Sequence, residues 1–451
     1  MIEFNKFKNI LIVNSRAGKI KHAGQVMWGS WAVASHLQKA YPQAKITFLD
    51  ENNEDDFLRK YQTIAKEQDA VGFSVSSMQI QDTLPLVVYL RKNYPRIKTF
   101  VGGIHPTLFP NQDYGNLFDY IITEDLPKNY FDYNLLPKKV KKYFSKKRAE
   151  IVTGFNCSYK CTFCINSTRN CHYESIPIKN ILENIDYTVK EFNPKKVYFR
   201  DEDFFQDIKK AEAIINHIKE KKYTFRWEAN SRVNHFNQQR INEALLEKMR
   251  ETHCSQIRFG IESGSQRVLN YLQKGQNLKQ IRFAVRQCIK YGLGVACSFI
   301  FGLPTETAQE REETYKLISE LSGYDKKVLI LGPQIYRPYP GGKLFDEAKK
   351  YGLKFPEKFI DWPDYFKNSP AGDILDIKST LPWLSKKENN NLPYVWVVAH
   401  YGLNYSKANS LLKKMIGYWF LMHWKFRWFS GLDIKFFRLI KILHINIFKQ
   451  G

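Results

Sequence analysis

Residues 151–164 read IVTGFNCSYKCTFC: a short apolar run, a break at glycine and asparagine, then three cysteines within eight positions. Residues 150–153 carry the pattern of a buried strand, so Cys157, Cys161 and Cys164 lie just past a strand's carboxyl end. Downstream the same alternation repeats. Strands are predicted over 196–199, 226–229, 256–259, 295–301 and 329–334. Helical periodicity fills 178–191, 208–221, 242–251, 265–271, 278–291 and 310–322. Repeated βα units of this length predict a full or partial TIM-type (βα) barrel, in which functional groups sit just after each strand.

Upstream, the first ~125 residues alternate in the same way. Strands are predicted over 10–13, 46–49, 70–75, 99–101 and 120–122, and helices over 31–41, 55–67 and 84–93. That spacing predicts a Rossmann-like parallel sheet with helices on both faces, binding ligands at the strands' carboxyl ends. Ser74, Ser76 and Ser77 follow one such strand, and Gly102 and Gly103 the next. A strand-end Gly-Gly suits a backbone approached by a large ligand, or equally a tight turn. The basic stretch 137–148 (PKKVKKYFSKKR) reads as a linker or solvated edge. From about residue 341 the alternation fades. The expected parts are therefore an α/β sheet domain over 1–136, a partial barrel over 149–340 and a helical, basic and aromatic region over 341–451.

Thiolates at the spacing of Cys157, Cys161 and Cys164 can ligate three irons of a [4Fe–4S] cluster from one loop. Three ligands leave an open metal position, which catalysis needs. The competing reading is zinc, with Cys171 or His172 as fourth ligand, although zinc sites usually pair two C-x2-4-C units. Cys254, Cys288 and Cys297 fall inside strand and helix patterns and read as core.

The rest of the composition narrows the class. The chain has 451 residues, 43% of them hydrophobic and 25% charged, enough to bury a core without staples. That argues against a disordered chain or a disulfide scaffold. Seven cysteines, three of them crowded, suit metal binding in a reducing compartment. The opening MIEFNKFKNILIVNS lacks the long apolar core of a signal peptide, and no window reaches the ~18–20 apolar residues of a membrane span. A cytoplasmic location is expected. The net charge of +24 favours anionic partners, or reflects AT-rich codon usage that enriches lysine.

The motif C-x3-C-x2-C, with Phe163 before its last cysteine, resembles the radical S-adenosylmethionine (SAM) superfamily. Further stretches follow in register: VYFRDEDFF with Asp201, Glu202 and Asp203; WEANSRVNHF with Asn230 and Arg232; RFGIESGS with Glu262 and Ser263; and SFIFGLPTET. The resemblance implies that SAM binds the open iron and is cleaved reductively to methionine and a 5′-deoxyadenosyl radical. It also implies that Asp201 and Asp203 meet the methionyl end, Asn230 and Arg232 the cofactor, and Glu262 and Ser263 the ribose. Asp203 could instead cap a helix. Upstream, DAVGFSVSSMQ and KTFVGGIHPTLFP resemble the cobalamin-binding class of these enzymes. By that resemblance Ser74, Ser76, Gly102, Gly103 and His105 are cobalamin contacts, although His105 could equally be a satisfied turn histidine. No D-x-H-x-x-G is present, so no histidine is expected on cobalt.

The implied activity is cobalamin-dependent methylation of an unactivated carbon. Its rivals are the same machinery performing oxidation or cyclisation without methyl transfer, and a zinc-stabilised basic protein that binds nucleic acid. No recognisable nucleic-acid module supports the last. The expected partners are a small-molecule or lipid/glycan-precursor substrate and an electron donor such as flavodoxin or ferredoxin. YRPYPGG, with Tyr336, Arg337 and Tyr339, marks a candidate substrate opening, or plain turn chemistry. Residues 411–451 mix lysine and arginine with tryptophan and phenylalanine. They read either as a docked helix with a solvated basic face or as a peripheral membrane contact.

Overall fold

The computed structural model describes residues 4–17, 24–25, 27–124, 130–168, 172–338, 340, 343–368 and 381–429. The chain divides into two compact units. One comprises Met1–Ala149, Thr188–Pro194 and Lys354–Ile377; the other comprises Glu150–Tyr187, Lys195–Leu353 and Lys378–Gly451.

The first unit runs β1 (Asn9–Asn14), α1 (Trp28–Ala40), β2 (Lys45–Asp50), α2 (Phe57–Ala65), β3 (Ala70–Ser74), α3 (Ile80–Asn93), β4 (Lys98–Gly102), α4 (Ile104–Leu108), β5 (Tyr120–Ile121) and α5 (Lys138–Lys146). Its strands pair in parallel in the order β2-β1-β3-β4-β5. Leu11, Val13, Val71, Phe73 and Val101 bury one sheet face against Tyr61, Leu86, Val87 and Leu90, and Phe359 and Trp362 join that core. The chain order reverses between β1 and β3, the place where open α/β sheets form a crevice. The basic stretch read as a linker is instead mostly α5. Val140 and Phe144, four residues apart, are buried on one face while the lysines point outward.

The second unit contains β6 (Ala149–Ile151), β7 (Gly154–Phe155), α6 (Ile165–Thr168), β8 (Glu174–Ser175), α7 (Ile178–Phe192), β9 (Lys196–Phe199), α8 (Ile208–Glu220), β10 (Arg226–Ser231), α9 (Glu243–Glu251), β11 (Cys254–Glu262), α10 (Gln266–Tyr271), α11 (Leu278–Lys290), β12 (Gly294–Phe301), α12 (Ala308–Tyr324), β13 (Val328–Ile335) and α13 (Lys343–Lys350), then α15 (Lys386–Tyr405) and α16 (Leu411–Phe426). The helix α14 (Trp362–Asn368) belongs to the first unit. Six strands pair in sequence order, β6-β9-β10-β11-β12-β13, with β9 to β13 parallel. This is a partial TIM-like barrel followed by helices. Asp207, Asn242, Asn277 and Thr307 cap α8, α9, α11 and α12 through their side chains, which fixes where each helix leaves its strand. Cys254, Cys288 and Cys297 are buried in β11, α11 and β12, as core cysteines should be. No described helix is long and apolar enough to cross a membrane.

Candidate active site

The cysteine loop spans the gap between β7 and α6 and is pinned from two sides. Ser158 N–H donates to Gln206 Oε1 at 3.0 Å, and Gln206 Nε2 returns a bond to Ser158 Oγ at 3.1 Å. Thr162 bonds the end of α10 twice, from N–H to the Leu272 carbonyl (3.0 Å) and from Oγ1 to the Tyr271 carbonyl (3.1 Å). Asn156 opens the loop at φ 63°, a left-handed conformation that asparagine tolerates. Cys161 is buried and Cys157 and Cys164 are half-buried.

Burial pushes the Cys157 thiol up to about 11 and raises Cys164 as well. Iron binding therefore has to displace protons from this loop. Among the described residues, no three His, Cys, Asp or Glu side chains converge on one point as a single metal ion requires. A cluster sets a different demand, because each thiolate serves its own iron.

Arg232 lies just past β10 and turns onto this loop. Its Nη1 donates to Cys161 Sγ at 3.3 Å, its Nη2 to the Lys274 carbonyl, and its guanidinium stacks 3.7 Å from the centre of the Tyr159 ring. The Nε–H is buried without a hydrogen-bond partner. Asp203 accepts from His235 Nε2 at 2.7 Å, while its other oxygen, Oδ1, is buried and unpaired. Both orphaned atoms suit a polar group absent from the protein itself. Glu262, in the left-handed region at φ 71°, pairs with Lys274 Nζ at 2.9 Å. Gly260 leaves the space for that pair, since a Cβ there would fall 2.8 Å from Lys274 Nζ. Lys274 Nζ also sits 5.6 Å from the centre of the Phe163 ring. Glu202 is exposed, and both Cys164 and Asn166 interact with it.

Other candidates are committed to the protein itself. Asp201 was expected at the methionyl end. It is buried and accepts from Thr153 N–H (2.7 Å) and Thr153 Oγ1 (2.5 Å), with Lys210 Nζ 3.5 Å away, so it braces β6 against β9. Asn230 donates to the Asp201 carbonyl (2.7 Å) and accepts from Tyr198 (3.0 Å). Ser263 is fully buried, bonded to Thr314 Oγ1 (3.1 Å) and accepting from Ser265 N–H (3.1 Å). Tyr336 is buried beside Leu344 in an apolar cluster rather than at an opening. Arg337 is exposed. Cys171 and Tyr339 lie outside the described residues, as does the tail from residue 430.

In the first unit, His105 is fully buried and both ring nitrogens are bonded, Nδ1 to Ser77 Oγ (2.8 Å) and Nε2 to Gln112 Oε1 (2.7 Å). Desolvation lowers its pKa to about 4. It is a satisfied core histidine, not a free contact. Ser76 caps the turn into α3 in a reciprocal box with Gln79. Gly103 adopts φ 94°, and a Cβ there would fall 2.8 Å from Val75 N and 3.1 Å from Ser74 Oγ. Glycine is thus required where β4 leaves the sheet beside the end of β3. Gly102 has more room: a Cβ would make ordinary contact with Ile122 at 3.5 Å.

The sequence reading missed the polar cluster at the β1/β3 switch point. Asn14 donates to Asp50 at 2.8 Å, Gln79 donates to Asn14 (3.0 Å) and to the Ser15 carbonyl (2.6 Å), and Ser15 meets Thr83 at 2.5 Å. The signal was there in Asn14-Ser15 ending an otherwise apolar strand. Tyr159, His235 and Lys274 were also missed, because each acts through a tertiary contact rather than a motif position.

The radical SAM superfamily model matches residues 151–318. An uncharacterised methyltransferase of Pyrococcus horikoshii is 33% identical over 242 residues, covering 53% of this chain and 50% of the relative, so the chain spans about half that relative's length. Among solved structures, TsrM from Kitasatospora setae, a radical SAM methyltransferase, aligns with a TM-score of 0.61 at 14% identity, over 77% of each chain. OxsB, a cobalamin-dependent radical SAM enzyme, aligns at 0.60 and 14%, over 94% of this chain and 72% of its own. A radical SAM domain thus matches residues 151–318, which hold the pinned cysteine loop and most of its barrel, and the chain shares its fold with both solved enzymes.

Proposed function

We propose that this chain is a radical SAM enzyme that holds a [4Fe–4S] cluster on Cys157, Cys161 and Cys164 and methylates an unactivated carbon with cobalamin as second cofactor. When bound, these groups supply reductive cleavage of SAM to a 5′-deoxyadenosyl radical and a transferable methyl group. The observation that carries the reading is the three-cysteine loop, pinned on both sides and met at Cys161 by a buried arginine. Its donor set has three members, which leaves an open position for a small molecule.

The chain's own residues then divide the work. Arg232 supplies positive charge and hydrogen bonds at the loop. Asp203, held by His235, offers one unpaired oxygen, and Glu202 and the Glu262–Lys274 pair offer further polar contacts to SAM. The β1/β3 crevice and the Gly102-Gly103 turn are the proposed cobalamin side. The methyltransferase named among the relatives favours methyl transfer over oxidation or cyclisation. The substrate is proposed to be a small molecule of anionic or lipid-like chemistry, matching the net charge of +24, with the electron coming from an external reductant such as flavodoxin or ferredoxin.

The test is anaerobic purification with iron and sulfide reconstitution. The expected result is about four irons per chain, lost in a Cys157→Ala, Cys161→Ala, Cys164→Ala variant. Tight zinc without iron would overturn the reading, and a product heavier by one methyl group separates methylation from its rivals.

A further inference from the structure

The helix α16 presents two contrasting faces. Its inner face is fixed: Ile416, Phe420 and Trp424 are buried, Trp424 Nε1 donates to Ser319 Oγ at 2.8 Å, and two glycines set the approach to α15. A Cβ on Gly402 would fall 2.8 Å from the Phe420 backbone, and one on Gly417 would overlap the backbone of Tyr405 and Ser406. Two helices this close do not roll, so the opposite face is fixed outward.

That outward face is apolar. Leu411 (73% exposed), Met415 (62%), Tyr418 (57%), Met422 (47%) and Phe426 (54%) follow the i, i+4, i+7 spacing of one stripe, and Trp428 (59%) continues it past the helix end. Isolated exposed apolar residues are ordinary, but a continuous stripe marks a surface built to be covered. Lys414 and Lys425 border the stripe on one side, and α16 contains no acidic residue.

The charge selects the occupant. A second copy of the chain carries a net charge of +24, and residues 430–451 carry four Lys or Arg against one Asp. Both would meet this basic rim with like charge. An anionic surface with an apolar interior meets the lysines and the stripe together. We propose that the outward face of α16 seats the protein on the surface of a membrane containing anionic lipid, with the apolar side chains entering the interface and the lysines among the headgroups. The proposal is independent of the chemistry at the cysteine loop.

The test is flotation of the full chain with vesicles of phosphatidylcholine alone or with roughly 30% phosphatidylglycerol. The expected result is recovery with the anionic vesicles, with an affinity on the order of a hundredfold above that for neutral ones, and weakening as salt is raised. Two double variants, at three exposed positions and the half-buried Lys414, probe the two components: Met415→Glu with Met422→Glu, and Lys414→Glu with Lys425→Glu. Each is checked for unchanged circular dichroism and is expected to lose binding at least tenfold. Full binding by both variants would place the membrane contact elsewhere and overturn the proposal, as would failure of the unaltered chain to float with anionic vesicles. A concentration-dependent dimer abolished by the methionine variant, without vesicle binding, would assign the face to a second copy and overturn it equally.

Discussion

Arg232 shows how much one side chain can decide. Its guanidinium is buried against Tyr159 with one N–H on Cys161 Sγ, so the positive charge sits at the sulfur rather than in solvent. Hydrogen bonds and charge at cluster sulfurs set reduction potential, because they favour the more negative, reduced state. Replacing Arg232 with glutamine, in the reconstituted protein, is expected to lower the cluster potential by on the order of 50 mV, close to a tenfold change for a one-electron couple. A redox titration followed by electron paramagnetic resonance reads this directly, without reliance on turnover. Arg232→Lys should restore part of the shift, since charge returns without the fork geometry. An unchanged potential in Arg232→Gln would mean that the arginine only packs the loop.

The connection from β12 to α12 shows how an element holds its own chemistry. Gly302 N–H donates to Glu306 Oε2 at 3.0 Å, Thr307 and Glu310 form the reciprocal cap of α12, and Arg267 pairs with Glu310. The two carboxyls separate widely. Burial pushes Glu306 up to about 7, against the pull of Arg311, whereas the Arg267 hydrogen bond holds Glu310 down to about 2. Glu306 is raised above its unfolded value of about 4.3, so below that pH both states are protonated and stability is intact. As pH rises towards 7, the unfolded chain ionises first and stability falls, by about 4 kcal/mol at most. Glu310 acts in a lower window, between its folded value and the ordinary one, and with opposite sign. Glu306→Gln, which keeps the acceptor for Gly302, should therefore flatten the loss of urea stability between pH 5 and pH 8. An equally steep loss would show that Glu306 is not the titrating group.

Elements of this kind were largely legible in the sequence. The periodicities placed nearly every strand and helix of both sheets, because hydrophobic alternation is local information. The α5 stretch was misread because its lysines outweigh the two apolar residues that dock it. The direction each strand-end residue faces was not legible. Asp201 and Asp203, two positions apart, go to a Thr153–Lys210 brace and to His235, and only the fold decides which carboxylate keeps an open oxygen.

At the scale of the molecule, the chain carries two units with two separate demands. The cysteine loop and the groups around it all lie within the second unit, and the switch-point cluster and the Gly103 turn all lie within the first. If each unit supplies its own cofactor ligands, a lesion in one should spare loading of the other. Gly103→Ala tests this, because the residue sits at φ 94° with no room beside Val75 N. The added methyl group costs on the order of 1–3 kcal/mol of strain at that turn, enough to move the end of β4 without dismantling a sheet whose β1, β3 and β4 are largely buried. The expected outcome is a chain that reconstitutes about four irons but binds cobalamin at least tenfold more weakly, read from the visible spectrum and metal analysis after gel filtration. The triple cysteine variant should behave in the converse way, losing iron and keeping cobalamin. Joint loss of both groups in either variant would mean that the units are not independent in loading. Normal cobalamin binding by Gly103→Ala would move the cobalamin site away from the β4 turn, towards the Asn14, Ser15 and Gln79 cluster at the switch point.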